Sequence, residues 1–334
     1  MKNYLKAKLF LFSKLLKEKQ NIITDNQIRE FTKLKTIAKN KNLNLLTIGL
    51  ANSTIAINSL THINNSQQLS LKYNKKKYRV EVPLIGFFQI KNLLMSILAA
   101  KISGLDINII LKNIKKIKEV NGRLQLTKIL PNKAKIFIDY AHTPDALETS
   151  LKTLKEHYNI KPDIVFGCGG ERDWKKRPIM AKVCEKHANE IYITDDNPRR
   201  ENPKLIRQMI ISGFKKKEKV QDIPLRSKAI TTAIINSKPN GIILISGKGH
   251  EITQTYKNKT LNFSDKAIIK GVDTHQLKYN EKNYNKILNA KIISKLVKKK
   301  NIKFEGVSID SKQIRKGNLF IAIRGKNHDG HFFV

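Results

Sequence analysis

Between Ala134 and Gly247 the sequence alternates, with few interruptions, between two periodicities. Strand-like apolar runs at 135–140, 163–168, 190–194 and 241–247 are separated by helical patterns at 144–158, 178–188, 203–215 and 227–237. This alternation predicts a parallel sheet with right-handed crossovers, because parallel neighbours can be joined only by a long connection. Ligands of such sheets gather beyond the carboxyl ends of the strands. The polar clusters fall at those ends, at 139–145, 167–177, 194–200 and 247–251. Four loops converging on one edge predict a single site.

The flanks read differently. Residues 4–20 suggest a helix, and short apolar runs at 45–50 and 54–60 suggest strands. Alternating segments at 68–73 and 78–83 flank the turn Asn74-Lys75-Lys76-Lys77 and predict a hairpin. Helical spacing follows at 91–101 and 107–117, and Asn121-Gly122 marks a turn. After Asp265 the chain becomes polar and lysine-rich, with a helix-like stretch at 284–299 and strand-like runs at 304–309 and 319–323. Two strands and one helix bury too little to form a core, so this tail reads as the opening of a further domain.

A length of 334 residues allows two domains and part of a third, and 65 Lys+Arg against 27 Asp+Glu give a formal charge of +38. That charge alone would suggest nucleic acid. The excess is lysine spread through the whole sequence beside Ile and Asn, without an arginine-rich arm, a pattern that A/T-rich codons explain. The expectation is therefore no nucleic-acid partner, with anionic small molecules favoured. Cys168 and Cys184 form no CxxC pair, and Leu9–Phe12 is too short for a secretory core. No run reaches the roughly 18 apolar residues of a membrane span. A cytoplasmic, monomeric protein is expected.

Each polar loop has its own chemistry. Gly167-Cys168-Gly169-Gly170-Glu171-Arg172-Asp173 lets backbone amides approach a ligand, and Arg172 and Arg177 could each clasp a carboxylate or phosphate; a plain strand-to-helix turn would look similar. Asp196-Asn197-Pro198-Arg199 offers an amide that both donates and accepts, a fixed proline turn and a guanidinium that suit a zwitterionic amino-acid head, or forms an Asx-Pro turn. Gly247-Lys248-Gly249-His250-Glu251 ends a strand and places Glu251 to take an amine. Asp139-Tyr140-Ala141-His142-Thr143-Pro144-Asp145 combines chemistry-bearing side chains with a helix start.

In order and spacing these loops resemble the Mur ligase family, in its MurE-type branch. The family patterns GR, DYAHTPDAL, FGCGGxRDxxKRP, DNPR and GKGHE stand here at 122–123, 139–147, 166–178, 196–199 and 247–251. The helix around Tyr4, Ala7 and Lys8 is similar to Y-x-x-A-K-x-x-L-F of the family's central domain. Gly86-Phe87-Phe88-Gln89-Ile90-Lys91-Asn92 is similar to G-x-F-N-x-x-N, with Gln89 departing from the pattern and Asn92 keeping it.

The resemblance implies an α/β architecture: residues 1–120 as the C-terminal part of a central ATP-binding domain, 121–272 as a Rossmann-like C-terminal ligase domain, and 273–334 as a linker and the incomplete start of a second, MurF-type ligase. That last likeness rests on Asp310-Ser311-Lys312, Gly317-Asn318-Leu319-Phe320 and Asp329-Gly330-His331. It implies an ATP- and Mg²⁺-dependent ligase that adds meso-diaminopimelate to UDP-MurNAc-L-Ala-D-Glu through an acyl phosphate. Arg172, Asp196, Asn197, Pro198, Arg199, Gly247 and Glu251 would bind diaminopimelate, with Arg199 serving the distal carboxylate that lysine lacks. Asn92, Arg123 and Asp139 would face ATP, His142 would act in catalysis, and a carbamylated Lys8 would bind Mg²⁺.

One part of the pattern is missing. No G-x-x-G-K-[ST]-like phosphate loop occurs in the sequence, so the expectation is a ligase segment inactive by itself. The competing expectation is a non-catalytic module that keeps the amino-acid or nucleotide pocket. A folylpolyglutamate synthetase shares the architecture, but the DNPR and GKGHE loops point away from it.

Overall fold

The computed structural model describes residues 2–273 together with the backbone of 306–308 and 318–320. Two compact units divide the chain, Met1–Val272 and Asp273–Val334. In the second, strands Gly306–Ser308 and Asn318–Phe320 pair in parallel. The helix-like stretch at 284–299 and most of the MurF-like motif lie outside the described residues.

The first unit opens with α1 (Lys2–Phe10), which passes into a π-helical turn at Leu11–Leu15, where the Leu16 amide reaches back five residues to the Leu11 carbonyl at 3.1 Å. The helix expected over 4–20 therefore stops early. Then follow β1 (Asn21–Asp25), α2 (Phe31–Asn40), β2 (Asn44–Gly49), β3 (Ile55–Ile63), β4 (Ser66–Tyr73), β5 (Lys76–Val82), α3 (Phe87–Ile102) and α4 (Ile107–Asn113). The five strands form one sheet in sequence order, parallel from β1 to β3 and antiparallel from β3 to β5. The predicted hairpin is β4–β5. The sequence reading missed β1, which has only five residues, and α2, whose buried apolar side chains reduce to Leu34 and Ala38 among lysines.

The second lobe contains β6 (Gln125–Ile129), β7 (Lys135–Asp139), α5 (Pro144–Tyr158), β8 (Asp163–Phe166), α6 (Lys176–His187), β9 (Ile191–Ile193), α7 (Pro203–Ile211), β10 (Val220–Asp222), α8 (Arg226–Ile235), β11 (Ile242–Ser246), β12 (Thr253–Tyr256), β13 (Lys259–Asn262) and α9 (Asp265–Gly271). Its main sheet runs β10-β9-β8-β11-β7-β6, parallel except at β6. Strands β8 and β11 are buried along their whole length, as parallel strands covered on both faces must be. Phe137, Leu151, Phe166, Ile193, Ile210 and Leu244 share the core. Helix starts follow the turn chemistry: Thr143 caps α5 ahead of Pro144, and Asn202 caps α7 ahead of Pro203.

The β3–β4 turn docks the lobes together. His157 Nε2 donates to the Asn64 carbonyl at 2.8 Å, the Tyr158 hydroxyl donates to Asn65 Oδ1 at 3.0 Å, and the His62 and His157 rings lie 4.6 Å apart. Burial pushes the His157 pKa down; the Asn64 carbonyl opposes that shift, while His62 and Lys135 reinforce it. A folded value below the unfolded one means that protons bind the unfolded chain more readily. The neutral docking contact is then fully present above the ordinary imidazole value of 6.5 and is lost as the pH falls below it. Thermal melting between pH 7 and 5 should show a loss of stability that is smaller in His157→Gln.

Candidate active site

The four predicted loops meet at the carboxyl edge of β7, β8, β9 and β11. They enclose a cleft of about 360 Å³ lined by Tyr140, His142, Gly167, Arg172, Lys176, Asp196, Asn197, Arg199, Gly247 and Glu251, among others. A second cleft of about 340 Å³ lies beside it, lined by Phe88 of the first lobe and by Arg123, Asp139, Tyr140, His142 and Ser150. Tyr140 and His142 line both clefts. In a neutral His142 ring, Nδ1 carries the proton donated to the Tyr140 carbonyl at 2.9 Å, which leaves the Nε2 lone pair open.

The first cleft brings opposite charges together. Arg172 is exposed at its wall. Arg199 is held in the left-handed region at φ 53°, with Nη1 donating to the Gly170 carbonyl at 2.7 Å and its amide donating to Thr255 of the β12–β13 hairpin at 3.0 Å. On the acidic side, no hydrogen bond reaches the buried Asp196 carboxylate among the described residues. Burial raises its pKa, against the pull of Arg226 and Lys248. Glu251 is also raised by burial, but the hydrogen bond and charge of Lys248, with the Asn197 hydrogen bond and the Arg199 charge, bring it below the ordinary carboxylate value.

Asn197 is less free than its sequence suggests. Its Oδ1 accepts from Lys248 Nζ at 3.2 Å and from the Thr255 amide at 3.0 Å, and its Nδ2 donates to Glu251 Oε2 at 2.9 Å. The amide orientation is fixed by those partners. Pro198 is buried, and its carbonyl packs so closely on Gly170 that a Cβ there would lie 1.9 Å away. Gly247 has φ 112°, and a Cβ would meet Asp196 Oδ2 at 2.6 Å. Gly247→Ala should therefore displace Asp196 and lower stability by strain of order 1–3 kcal/mol, measured by denaturant unfolding.

Asp139 is tied into the protein. Its Oδ1 accepts from the Leu124 amide at 3.2 Å and the Tyr140 amide at 2.8 Å, and its Oδ2 from the Ser150 hydroxyl at 2.5 Å. Burial nevertheless raises its pKa, against those hydrogen bonds and the Arg123 charge. Arg123 lies over the Tyr140 ring at 4.4 Å. Gln89, which departs from the family pattern, is buried and donates to the Arg123 carbonyl at 2.9 Å.

Several expected residues lie elsewhere. Arg177 does not face the cleft: it is buried and pairs with Glu201 at 2.8 Å. Its neighbour Lys176 lines the cleft instead and donates to the His142 carbonyl at 2.6 Å. Asn92 is exposed on α3 and lines neither cleft. Lys8 is exposed on α1 with its ammonium 4.7 Å from the Tyr4 ring centre. Among the described residues, no group of three or more His, Cys, Asp or Glu side chains is arranged to hold a metal ion, and no ion pair reaches Lys8. These residues do not by themselves fit a Mg²⁺ site. Tyr140, Ser150, Lys176 and Lys248 were not singled out from sequence; for Tyr140, Lys176 and Lys248 the available signal was their place inside the quoted motifs.

The fold and clefts define a two-lobed α/β chain with a binding edge on a parallel sheet. Residues 1–100 match the Mur ligase middle domain and residues 122–249 match the Mur ligase glutamate ligase domain. The chain belongs to the Mur ligase family. It is 39% identical over 274 residues to the UDP-N-acetylmuramoyl-L-alanyl-D-glutamate–2,6-diaminopimelate ligase of Rickettsia montanensis, covering 80% of this chain and 55% of that protein. It is 43% identical over 206 residues to the enzyme of the same name from Buchnera aphidicola subsp. Acyrthosiphon pisum, covering 62% and 41%. A solved structure of a ligase with that name aligns with a TM-score of 0.58 at 29% identity, covering 84% of this chain and 57% of the other. The chain thus spans about half the length of the curated relatives it matches.

Proposed function

We propose that this chain is the acceptor-binding and nucleotide-facing part of an ATP-dependent ligase that adds meso-diaminopimelate to UDP-MurNAc-L-Ala-D-Glu. The observation that carries this reading is the first cleft, where Arg172 and Arg199 suit carboxylates while Asp196 and Glu251 suit ammonium groups. Diaminopimelate has two of each. In this reading ATP phosphorylates the D-glutamyl γ-carboxylate, the acceptor amine attacks that acyl phosphate, a C–N bond forms and phosphate leaves. His142 stands between the clefts and takes the proton lost by the amine. Arg123 and Asp139 face the nucleoside side. ATP and Mg²⁺ belong to this proposal through the family, with the metal's ligands outside the set assembled here. The buried, unpaired Cys168 and Cys184 fit a reducing compartment such as the cytoplasm.

A second reading, binding without turnover, is favoured by the position of Lys8, which is exposed on α1 with its ammonium over the Tyr4 ring. Calorimetry with meso-diaminopimelate and L-lysine, paired with phosphate release from ATP, separates the two. Both expect preference for diaminopimelate, but only the first expects phosphate release that depends on acceptor and UDP-dipeptide together once the chain is joined to the phosphate-loop part of such a ligase. Equal affinity for lysine would sink the acceptor assignment.

A further inference from the structure

Lys248 is fully buried, so its ammonium cannot itself receive a ligand from solvent. Its Nζ lies 3.0 Å from Glu251 Oε2 and 3.2 Å from Asn197 Oδ1. Asn197 closes the triangle by donating from Nδ2 to the same Glu251 oxygen at 2.9 Å, and the Thr255 amide prevents the side-chain amide from turning over. One Glu251 oxygen is thus held from two sides. The carboxylate still lines the cleft, with its second oxygen left for a ligand. An uncharged side chain would fill the same space without desolvating an ammonium, so packing alone does not explain a lysine here.

We propose that Lys248 is a positioning residue for acceptor recognition, fixing Asn197 and Glu251 so that Glu251 presents an ionised carboxylate oxygen to an ammonium group of the acceptor. This rests on the diaminopimelate reading of the cleft. The charged groups around Glu251 are Lys248 and Arg199, then Asp196 on the loop after β9 and the Arg226–Asp265 pair of α8 and α9, and across the cleft the titratable His142 with Arg172 and Lys176. Burial raises the Glu251 pKa and Lys248 is the main opposing group. Without that cation Glu251 takes up a proton at higher pH, and ammonium binding fails earlier as the pH falls.

The test is calorimetric titration of the full chain with meso-diaminopimelate from pH 8 to 5, using wild type, Lys248→Met, Glu251→Gln and the double variant, with near-UV circular dichroism as a check on folding. Lys248→Met is expected to bind more than about tenfold more weakly, with its affinity falling off at a higher pH than in wild type. The double variant should bind no worse than Glu251→Gln alone, because both act through one carboxylate. If Lys248→Met does not fold, Lys248→Gln keeps a donor without the charge and should still show the displaced pH dependence. Wild-type affinity in the lysine variant, or losses that simply add in the double variant, overturn the proposal while leaving the acceptor reading standing. Absence of binding by wild type overturns both.

Discussion

On the proposed acceptor assignment, Arg199→Ala should abolish the preference for diaminopimelate over lysine. The guanidinium lines the first cleft, and its backbone is pinned by Thr255 and its side chain by the Gly170 carbonyl, so it would meet a ligand already ordered. A charge-assisted bond to a carboxylate contributes about 1.5–3 kcal/mol, equivalent to a loss of roughly 10- to 150-fold in affinity. Lysine has no second carboxylate to lose. Its affinity should hardly change, and the ratio of the two affinities should collapse. Arg199→Lys keeps the charge but not the planar fork and should recover only part of the preference. Calorimetry with both amino acids measures each value, and an unchanged ratio in Arg199→Ala would mean that the distal carboxylate is read elsewhere.

The largest loss of stability is expected from breaking the Arg226–Asp265 pair. Both side chains are fully buried, with Arg226 Nε and Nη2 bonded to the two Asp265 oxygens at 2.7 and 2.8 Å. Arg226 also donates to the Ser246 carbonyl at 3.0 Å, tying α8 and α9 to the end of β11 just before the Gly247 loop. Asp265→Ala leaves a buried guanidinium without its counter-charge, a change that typically costs about 3–5 kcal/mol. Arg226→Met combined with Asp265→Leu removes both charges and should cost much less. Denaturant unfolding of the second lobe distinguishes these outcomes. Equal losses in the single and double variants would assign the effect to packing instead of uncompensated charge.

The parallel lobe was readable because its signals are local. A buried strand needs a short apolar run, a crossover helix needs its own period, and two of the helices start on a capping residue followed by proline, Thr143-Pro144 and Asn202-Pro203. The position of the loops then followed from strand direction. The π-helical ending of α1, the short β1 and the lysine-rich α2 were not readable, since their apolar faces are small and only packing decides them. The β12–β13 hairpin, which holds the backbone of Arg199, had no sequence signal strong enough to be picked out.

Sequence by itself determined the chemistry gathered at the strand ends: guanidiniums, carboxylates and an imidazole on loops brought to one edge by parallel topology. Only the tertiary structure decided which side chains reach the cleft. Lys176 and Arg177 are neighbours on a helix that turns about 100° per residue, so one faces the cleft and the other a buried partner in Glu201. On α3 the buried positions 89, 90, 93, 94, 97 and 98 form an inward stripe that leaves Asn92 on the opposite face and turns Gln89 toward Arg123. Lys248 became a buried partner of Asn197 and Glu251 because the loop after β9 packs against its own loop after β11. Residue type is a local property, whereas burial and pairing depend on what distant segments bring to the same place.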